Sequence, residues 1–261
     1  MNLVALATYN EIDNLPRLVV DLLRQLPGTD VLVIDDNSPD GTGRWCDTFA
    51  ADETRLTCVH RASKQGLGTA TVVGLQYAID HGYRYLLTMD ADWSHDPRYA
   101  PKLIESMECG GAETVDVVVG SRYVAGGGIE DWPWGRRFTS RAVNWFARWW
   151  FWLPVRDTSG AFRCYRVETL SKLDLQQVRS RGYSVYEELL WRLRQQNARM
   201  IELPITFVDR QSGQSKVSFA EAWQSMAQLI RLRFQRSSGH GARVGTAPRS
   251  QRSDPEDGIA T

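Results

Sequence analysis

Two carboxylates one residue apart, Asp90-Ala91-Asp92, follow the apolar run Tyr85-Leu86-Leu87-Thr88-Met89. The run reads as a buried strand, and Asp96-Pro97 just beyond it supplies a helix cap and a first-turn proline. Hard oxygen donors at the C-terminal end of a central strand stand where open α/β sheets bind ligands. Their chemistry would be to hold a divalent cation, and through it a diphosphate. An isolated Asp-x-Asp is more often a pair of solvated turn residues, so the surroundings decide.

The cations are the second signal. Arg122, Arg136, Arg137, Arg163, Arg166, Arg210 and Lys216 follow candidate strand ends or lie in glycine-bearing loops. Guanidinium forks match phosphate oxygens bidentately, and two phosphate groups in one site need several cations besides a metal. Taken singly each is an ordinary surface residue. Taken together, Arg136 to Arg166 holds seven arginines and a single acid, Asp157.

Polar groups also close the first two strands. Thr8-Tyr9-Asn10-Glu11 and Asp35-Asp36 place carboxylates beside an aromatic, a setting for a nucleobase and ribose, although Asn37-Ser38-Pro39-Asp40-Gly41 is equally a strong turn. Gly66-x-Gly68 opens a helix, but Thr71 stands where a dinucleotide fingerprint has its third glycine, and no P-loop motif occurs. Lys64 just ahead is placed to meet a phosphate or ribose. His60, His81, His95 and His240 do not cluster in sequence, and His95, which adjoins the Asp-x-Asp, reads as a turn residue, with a place behind the metal ligands as the alternative. Cys46, Cys58, Cys109 and Cys164 form no C-x-x-C pair, which argues against a structural zinc site and for a reducing compartment. No nucleophilic G-x-S-x-G is present.

The elements that must position these groups alternate. Apolar runs at 3–7, 31–34, 56–60, 85–89 and 115–119 are separated by helical patterns, of which Leu15, Leu18, Val19, Leu22, Leu23 and Leu26 are the clearest. This predicts an α/β fold with a mostly parallel sheet covered on both faces. Gly126-Gly127-Gly128 reads as a mobile loop, 138–153 as an aromatic helix, 161–165 as a strand near the end of the sheet, 186–196 as a helix and 200–203 as a further strand. Ser218-x-x-Glu221 is a capping box opening a last helix. The residues from 237 to 261 read as a disordered tail.

With 261 residues, 43% hydrophobic and 24% charged, the composition is that of a soluble globular protein. Lys+Arg and Asp+Glu are both 31, so no general attraction to nucleic acid is expected. The N-terminus enters a strand at once and shows no secretory signal. No run approaches the roughly 20 apolar residues of a membrane span. The segment Trp145-Phe146-Ala147-Arg148-Trp149-Trp150-Phe151-Trp152 instead suits the headgroup boundary, with rings at the acyl edge and guanidinium groups on lipid phosphate; the groove of a protein partner is the competing reading.

Seven motifs occur in order: Thr8-Tyr9-Asn10-Glu11, Asp35-Asp36-x-Ser38-Pro39-Asp40-Gly41-Thr42, Gly66-Leu67-Gly68-Thr69-Ala70, Met89-Asp90-Ala91-Asp92-x-Ser94-His95, Gly120-Ser121-Arg122-Tyr123, Asp157-x-Ser159-Gly160-x-Phe162-Arg163-x-Tyr165-Arg166 and Val208-Asp209-Arg210-x-x-Gly213-x-Ser215-Lys216. Together they resemble the catalytic domain of dolichyl-phosphate (polyprenyl-phosphate) mannosyltransferases, inverting family-2 glycosyltransferases of GT-A fold, over about residues 2 to 236. The resemblance implies one Rossmann-like GT-A domain, 1–236, with an amphipathic interfacial helix. Ala7, Tyr9, Glu11, Asp35, Asp36, Lys64, Gly68 and Ala91 would line the donor pocket. Asp90 and Asp92, with Ser94, would hold Mg²⁺ or Mn²⁺ on the diphosphate. Arg122, Arg136 or Arg137, and Ser140 would receive the lipid phosphate, and Arg210 and Lys216 would close over the donor.

Two positions depart from the family pattern. Ser94 stands where archaeal and many bacterial members carry Gln, and Ala7 where Pro is usual. Members of the long form also carry C-terminal transmembrane helices, which this chain lacks. The resemblance therefore implies peripheral attachment to the cytoplasmic face of a membrane, alone or on a small membrane-protein partner. GDP-mannose is the favoured donor, with UDP-sugars open. A lipid phosphate is already ionised at neutral pH, its second pKa being about 6 by analogy with other phosphomonoesters, and it attacks without a base. A hydroxyl acceptor would need one, for which Asp157 is the candidate. A nucleotide-sugar-binding protein without catalysis is the non-enzymatic alternative.

Overall fold

Strand and helix periods in the sequence become elements of matching burial in the computed structural model, which describes residues 1–108, 114–180 and 182–209, and residue 230. The order is β1 (Asn2–Thr8), α1 (Leu15–Gln25), β2 (Thr29–Asp35), α2 (Thr42–Ala50), β3 (Leu56–His60), α3 (Leu67–Asp80), β4 (Tyr85–Asp90), α4 (Ala100–Ser106) and β5 (Val117–Ser121). Then follow β6 (Gly128–Ile129), α5 (Trp134–Phe151), β7 (Arg163–Arg166), α6 (Val167–Leu170), α7 (Val185–Gln195), β8 (Met200–Pro204) and β9 (Thr206–Phe207). The capping box, the last helix and the tail expected from sequence lie outside the described residues, as do Arg210 and Lys216.

The main sheet runs β3-β2-β1-β4-β7-β5-β8, parallel except for β7. Alternate residues of β1 feed two cores. Val4 and Leu6 meet α1, α4 and Cys46 of α2 on one face. Leu3 and Ala5 meet α3, α5 and α7 on the other. Burial on both faces is why these strands lack polar alternation.

The strand expected near the end of the sheet is a correction. β7 lies inside the sheet, antiparallel between β4 and β5. Its flanking arginines hid this, because they serve the interior. Arg163 is fully buried and donates to the carbonyls of Thr158 and Tyr186. Arg166 donates to those of Val115 and Met107. Neither is the phosphate ligand that its spacing suggested.

Part of the glycine loop is also ordered: Gly128–Ile129 form β6, paired with β9. Gly127 has to be glycine, since a Cβ there would lie 2.5 Å from the Ser121 carbonyl oxygen. The aromatic helix starts earlier than the sequence suggested, at Trp134.

Because the strands run parallel, the polar ends of β1, β2 and β4 fall side by side. The register pairs Thr8 with Asp35 and Ala7 with Asp90.

Candidate active site

The first two loops are stitched together by short polar side chains. The Asn10, Glu11 and Ile12 N–H groups donate to Ser38 Oγ, Thr42 Oγ1 and Asp40 Oδ2 at 2.9, 3.0 and 3.1 Å. Asp35, 2% exposed, accepts from the Thr8 and Ser38 hydroxyls. Asp36 has a different part from the base or ribose contact expected of it. It accepts from the Gln65 and Gly66 N–H groups and lies 2.9 Å from Arg61, an ion pair too bent to be a hydrogen bond. Asp36 thus ties the loop bearing Lys64 and Gly68 to β2. Lys64 Nζ sits 3.8 Å from the centre of the Tyr9 ring. Gly68 lines a cleft of about 400 Å³ with Thr69, Val72, Val178, Arg179 and Ser180. Arg61 was invisible in the sequence, one arginine among many.

The Asp90-Ala91-Asp92 loop turns on Trp93, whose φ of 64° lies in the left-handed region, a strained conformation for a bulky residue. Its indole N–H donates to the Asn14 carbonyl at 3.1 Å, anchoring the turn to the start of α1. Asp92 is buried, and its Oδ1 accepts from both the N–H and the hydroxyl of Ser94. As placed, Ser94 orients Asp92. Asp90 is more open, its side chain 23% exposed.

His95 is the correction in this loop. It is 2% exposed, packed at 5.1 and 5.2 Å against the Phe162 and Phe207 rings. The Asp90 N–H donates to its Nδ1 at 3.1 Å, so the ring proton sits on Nε2. Burial, with Asp92 opposing, pushes its pKa down to about 4 and keeps it neutral. A buried neutral imidazole holding the Asp90 backbone is a positioning group rather than a turn residue.

Beyond His95 lies Arg122, 5.4 Å from the Phe207 ring. It forms a bidentate ion pair with Asp157, at 2.7 Å to both carboxylate oxygens, and adds a bond to Ser159 Oγ. Asp157 is 0% exposed and also accepts from the Arg122 and Gly160 N–H groups. Burial alone would raise its pKa, but the Arg122 charge outweighs that and holds the carboxyl below its ordinary range. The same pairing overrides the burial of Arg122 and keeps the guanidinium charged. The reading of Asp157 as a general base is therefore corrected: the carboxylate is saturated and acid-shifted.

The other acceptor-side candidates gather nearby with partners of their own. Arg136 pairs with Asp209 at 2.8 Å and lies 3.9 Å over Trp132. Arg137 donates to the Ile129 carbonyl. Ser140 Oγ and Tyr123 OH are 2.7 Å apart.

Two further residues escaped the sequence reading. Asn144, the polar interruption of an apolar helix face, accepts from Thr158 N–H and Oγ1 and from Ser159 N–H, and so clamps the Asp157 loop to α5. Glu187 is 2% exposed with no partner for Oε2, and burial pushes its pKa up to about 7. Its neighbour Glu188 is structural, accepting from Ser180 and Arg192; only the fold separates the two.

The polar ends of β1 and β2, a carboxylate pair and a fixed arginine lie at the C-terminal ends of the strands. The sequence over residues 3–174 matches the family described as Glycosyl transferase family 2. The chain belongs to this family. The transferase is 38% identical to the undecaprenyl-phosphate mannosyltransferase of Micrococcus luteus, over 93% of this chain and 98% of that protein. It is 39% identical to the polyprenol monophosphomannose synthase of Mycolicibacterium smegmatis, over 91% and 90%. Its fold is similar to that of glucosyl-3-phosphoglycerate synthase from Mycobacterium tuberculosis, solved with Mn²⁺, UDP and glucosyl-3-phosphoglycerate. The TM-score is 0.62 at 18% identity, covering 88% of this chain and 77% of that one. The transferase thus has the GT-A type α/β sheet that its motifs implied.

Proposed function

We propose that this transferase moves mannose from GDP-mannose to a polyprenyl phosphate, with inversion at the sugar, giving a β-linked lipid-phosphate mannose. The observation that carries the reading is the buried Arg122, fixed by Asp157 and joined to the Asp90/Asp92 loop through Phe207 and His95. A metal-diphosphate locus next to a preoriented cation suits an anionic acceptor meeting an anionic leaving group. The names of the two relatives, similar over nearly their whole lengths, support the lipid phosphate and the mannose.

The donor set at Asp90 and Asp92 fits a hard cation. It offers carboxylate oxygens, while the neighbouring nitrogen, His95 Nδ1, already accepts from Asp90 N–H. Oxygen donors favour Mg²⁺ or Mn²⁺ over softer metals. When bound, the metal neutralises charge growing on the departing diphosphate. The chain's own work is alignment and exclusion of water. Tyr9, Glu11, Asp35 and Lys64 hold the nucleoside; Arg122, with Arg136, Arg137 and Ser140, steers the phosphate; Arg210 and Lys216 close over the donor. The acceptor oxygen is already ionised, so no base is required.

The face of α5 supports peripheral attachment at the cytoplasmic side of a membrane. Trp134, Phe138, Trp145, Trp149 and Trp152 form one exposed stripe, interleaved with exposed Arg141 and Arg148. Among the described residues no helix is long and apolar enough to cross a membrane.

Glu187 favours a second reading, in which a hydroxyl acceptor is deprotonated by this carboxyl instead of Asp157. The discriminating assay offers GDP-mannose or a UDP-sugar to a short-chain polyprenyl phosphate or a soluble saccharide, with and without Mg²⁺. Metal-dependent mannosyl transfer to the phosphate is expected, with Glu187→Gln retaining at least about a tenth of the rate, whereas removing a general base costs 10²–10⁴-fold. Folded protein that yields product only with saccharide would overturn the phosphate acceptor.

A further inference from the structure

The fold assembles a group that the sequence keeps apart. Cys58 and His60 alternate along β3 and therefore face the same side, toward α2, which carries Cys46 and Asp47. Ligand atoms of Asp47, Cys58 and His60 all lie within 4.8 Å of one another, with His60 Nε2 2.7 Å from Asp47 Oδ1. β3 is an edge strand, three places from β4, so the group is distinct from the Asp90/Asp92 pair.

We propose that Asp47, Cys58 and His60 form a Zn²⁺ site, with water as the fourth donor. One sulfur, one imidazole nitrogen and one carboxylate oxygen make a borderline-soft set, unlike the oxygen donors of the Asp90 loop. Metal bonds of about 2.0 Å to N or O and about 2.3 Å to S place tetrahedral ligands roughly 3.3–3.8 Å apart. Those three ligand atoms therefore have to draw in by about 1 Å at their widest. The Asp47 and His60 side chains, 61% and 48% exposed, have the freedom to do so. Access is open as well, since Asp47 and His60 lie at the surface and Cys58 is only half-buried. Binding releases the Cys58 thiol proton and any proton shared by His60 and Asp47.

The test is a Co²⁺ titration of the full chain, freed of metal with chelator and kept reduced with a phosphine. Co²⁺ stands in for Zn²⁺ because thiolate ligation gives it a near-ultraviolet charge-transfer band and four-coordination gives intense visible bands. One equivalent should develop both, and one equivalent of Zn²⁺ should bleach them. Cys58→Ser should abolish the charge-transfer band. His60→Ala, at an exposed position that leaves packing intact, should weaken Co²⁺ binding at least about tenfold, a loss seen even for outer-shell partners. Asp90→Asn should change nothing. Absence of the band at one equivalent, or its survival in Cys58→Ser, would overturn the site.

Discussion

Arg122 donates to both oxygens of Asp157, so deleting either partner strands the other charge in the interior. Asp157→Asn should destabilise the protein by about 3–5 kcal/mol, the range for half of a buried pair, measured by urea denaturation. Because the folded carboxyl titrates below its ordinary value, the pair's contribution is complete above about pH 4 and lost as pH falls through the lower, folded pKa. Asp157→Asn should lack that acid-limb loss. His95 acts in the other direction. Its folded pKa of about 4 lies below the reference of about 6.5, so the unfolded chain binds the extra proton between those values. Stability should fall as pH drops from about 6.5 to about 4, by up to on the order of 3 kcal/mol. A His95→Gln variant should titrate without this slope, and its KM for the donor should rise as the Asp90 backbone loses its acceptor. A slope persisting in His95→Gln would assign it to another group.

At the scale of elements, α5 does two jobs on two faces. Its buried face presents Asn144 to the 157–160 loop; Asn144→Ala leaves several buried donors unmatched and should cost about 3 kcal/mol, at roughly 1–3 kcal/mol for each group. Its exposed face can be tested without harming the fold. Trp152 ends the helix at φ 56°, a conformation that costs a non-glycine residue about 1–2 kcal/mol. Trp152→Gly should keep or raise the melting temperature while weakening co-sedimentation with anionic vesicles. Adding Trp145→Ser and Trp149→Ser should deepen that loss while leaving turnover of a water-soluble short-chain acceptor near wild type. Unchanged vesicle binding in the triple variant would assign the stripe to a protein partner instead.

For the whole molecule, a donor and metal that bind only the folded chain would stabilise it by mass action. At a hundred times Kd the gain is about 2.7 kcal/mol, or roughly 5–10 °C for a domain of this size. Thermal melts with GDP-mannose plus Mg²⁺ should show this shift, and Asp90→Asn or Asp92→Asn should remove its metal-dependent part. The same melts with UDP-glucose rank the two donors. A larger shift with the UDP-sugar would argue against GDP-mannose.

The sequence by itself determined the sheet and its polar edge. Apolar runs of strand length separated by amphipathic helices admit few other solutions, and parallel strands bring their C-terminal loops together. Thr8 to Glu11, Asp35-Asp36 and Asp90-Ala91-Asp92 were legible for that reason, as was the aromatic stripe. Only the tertiary structure decided what each charge does, because charge type and spacing do not encode burial or partners. Arg163 and Arg166 turned inward, Asp157 became the saturated half of an ion pair, and His95 became a neutral prop beneath Asp90. Between adjacent glutamates, packing left Glu187 Oε2 without a partner and gave Glu188 to Arg192. Asp90-Ala91-Asp92 kept its place, while Trp93 and His95, which hold it there beside Ser94, took their parts from contacts with the start of α1 and with β9 that no local pattern specifies.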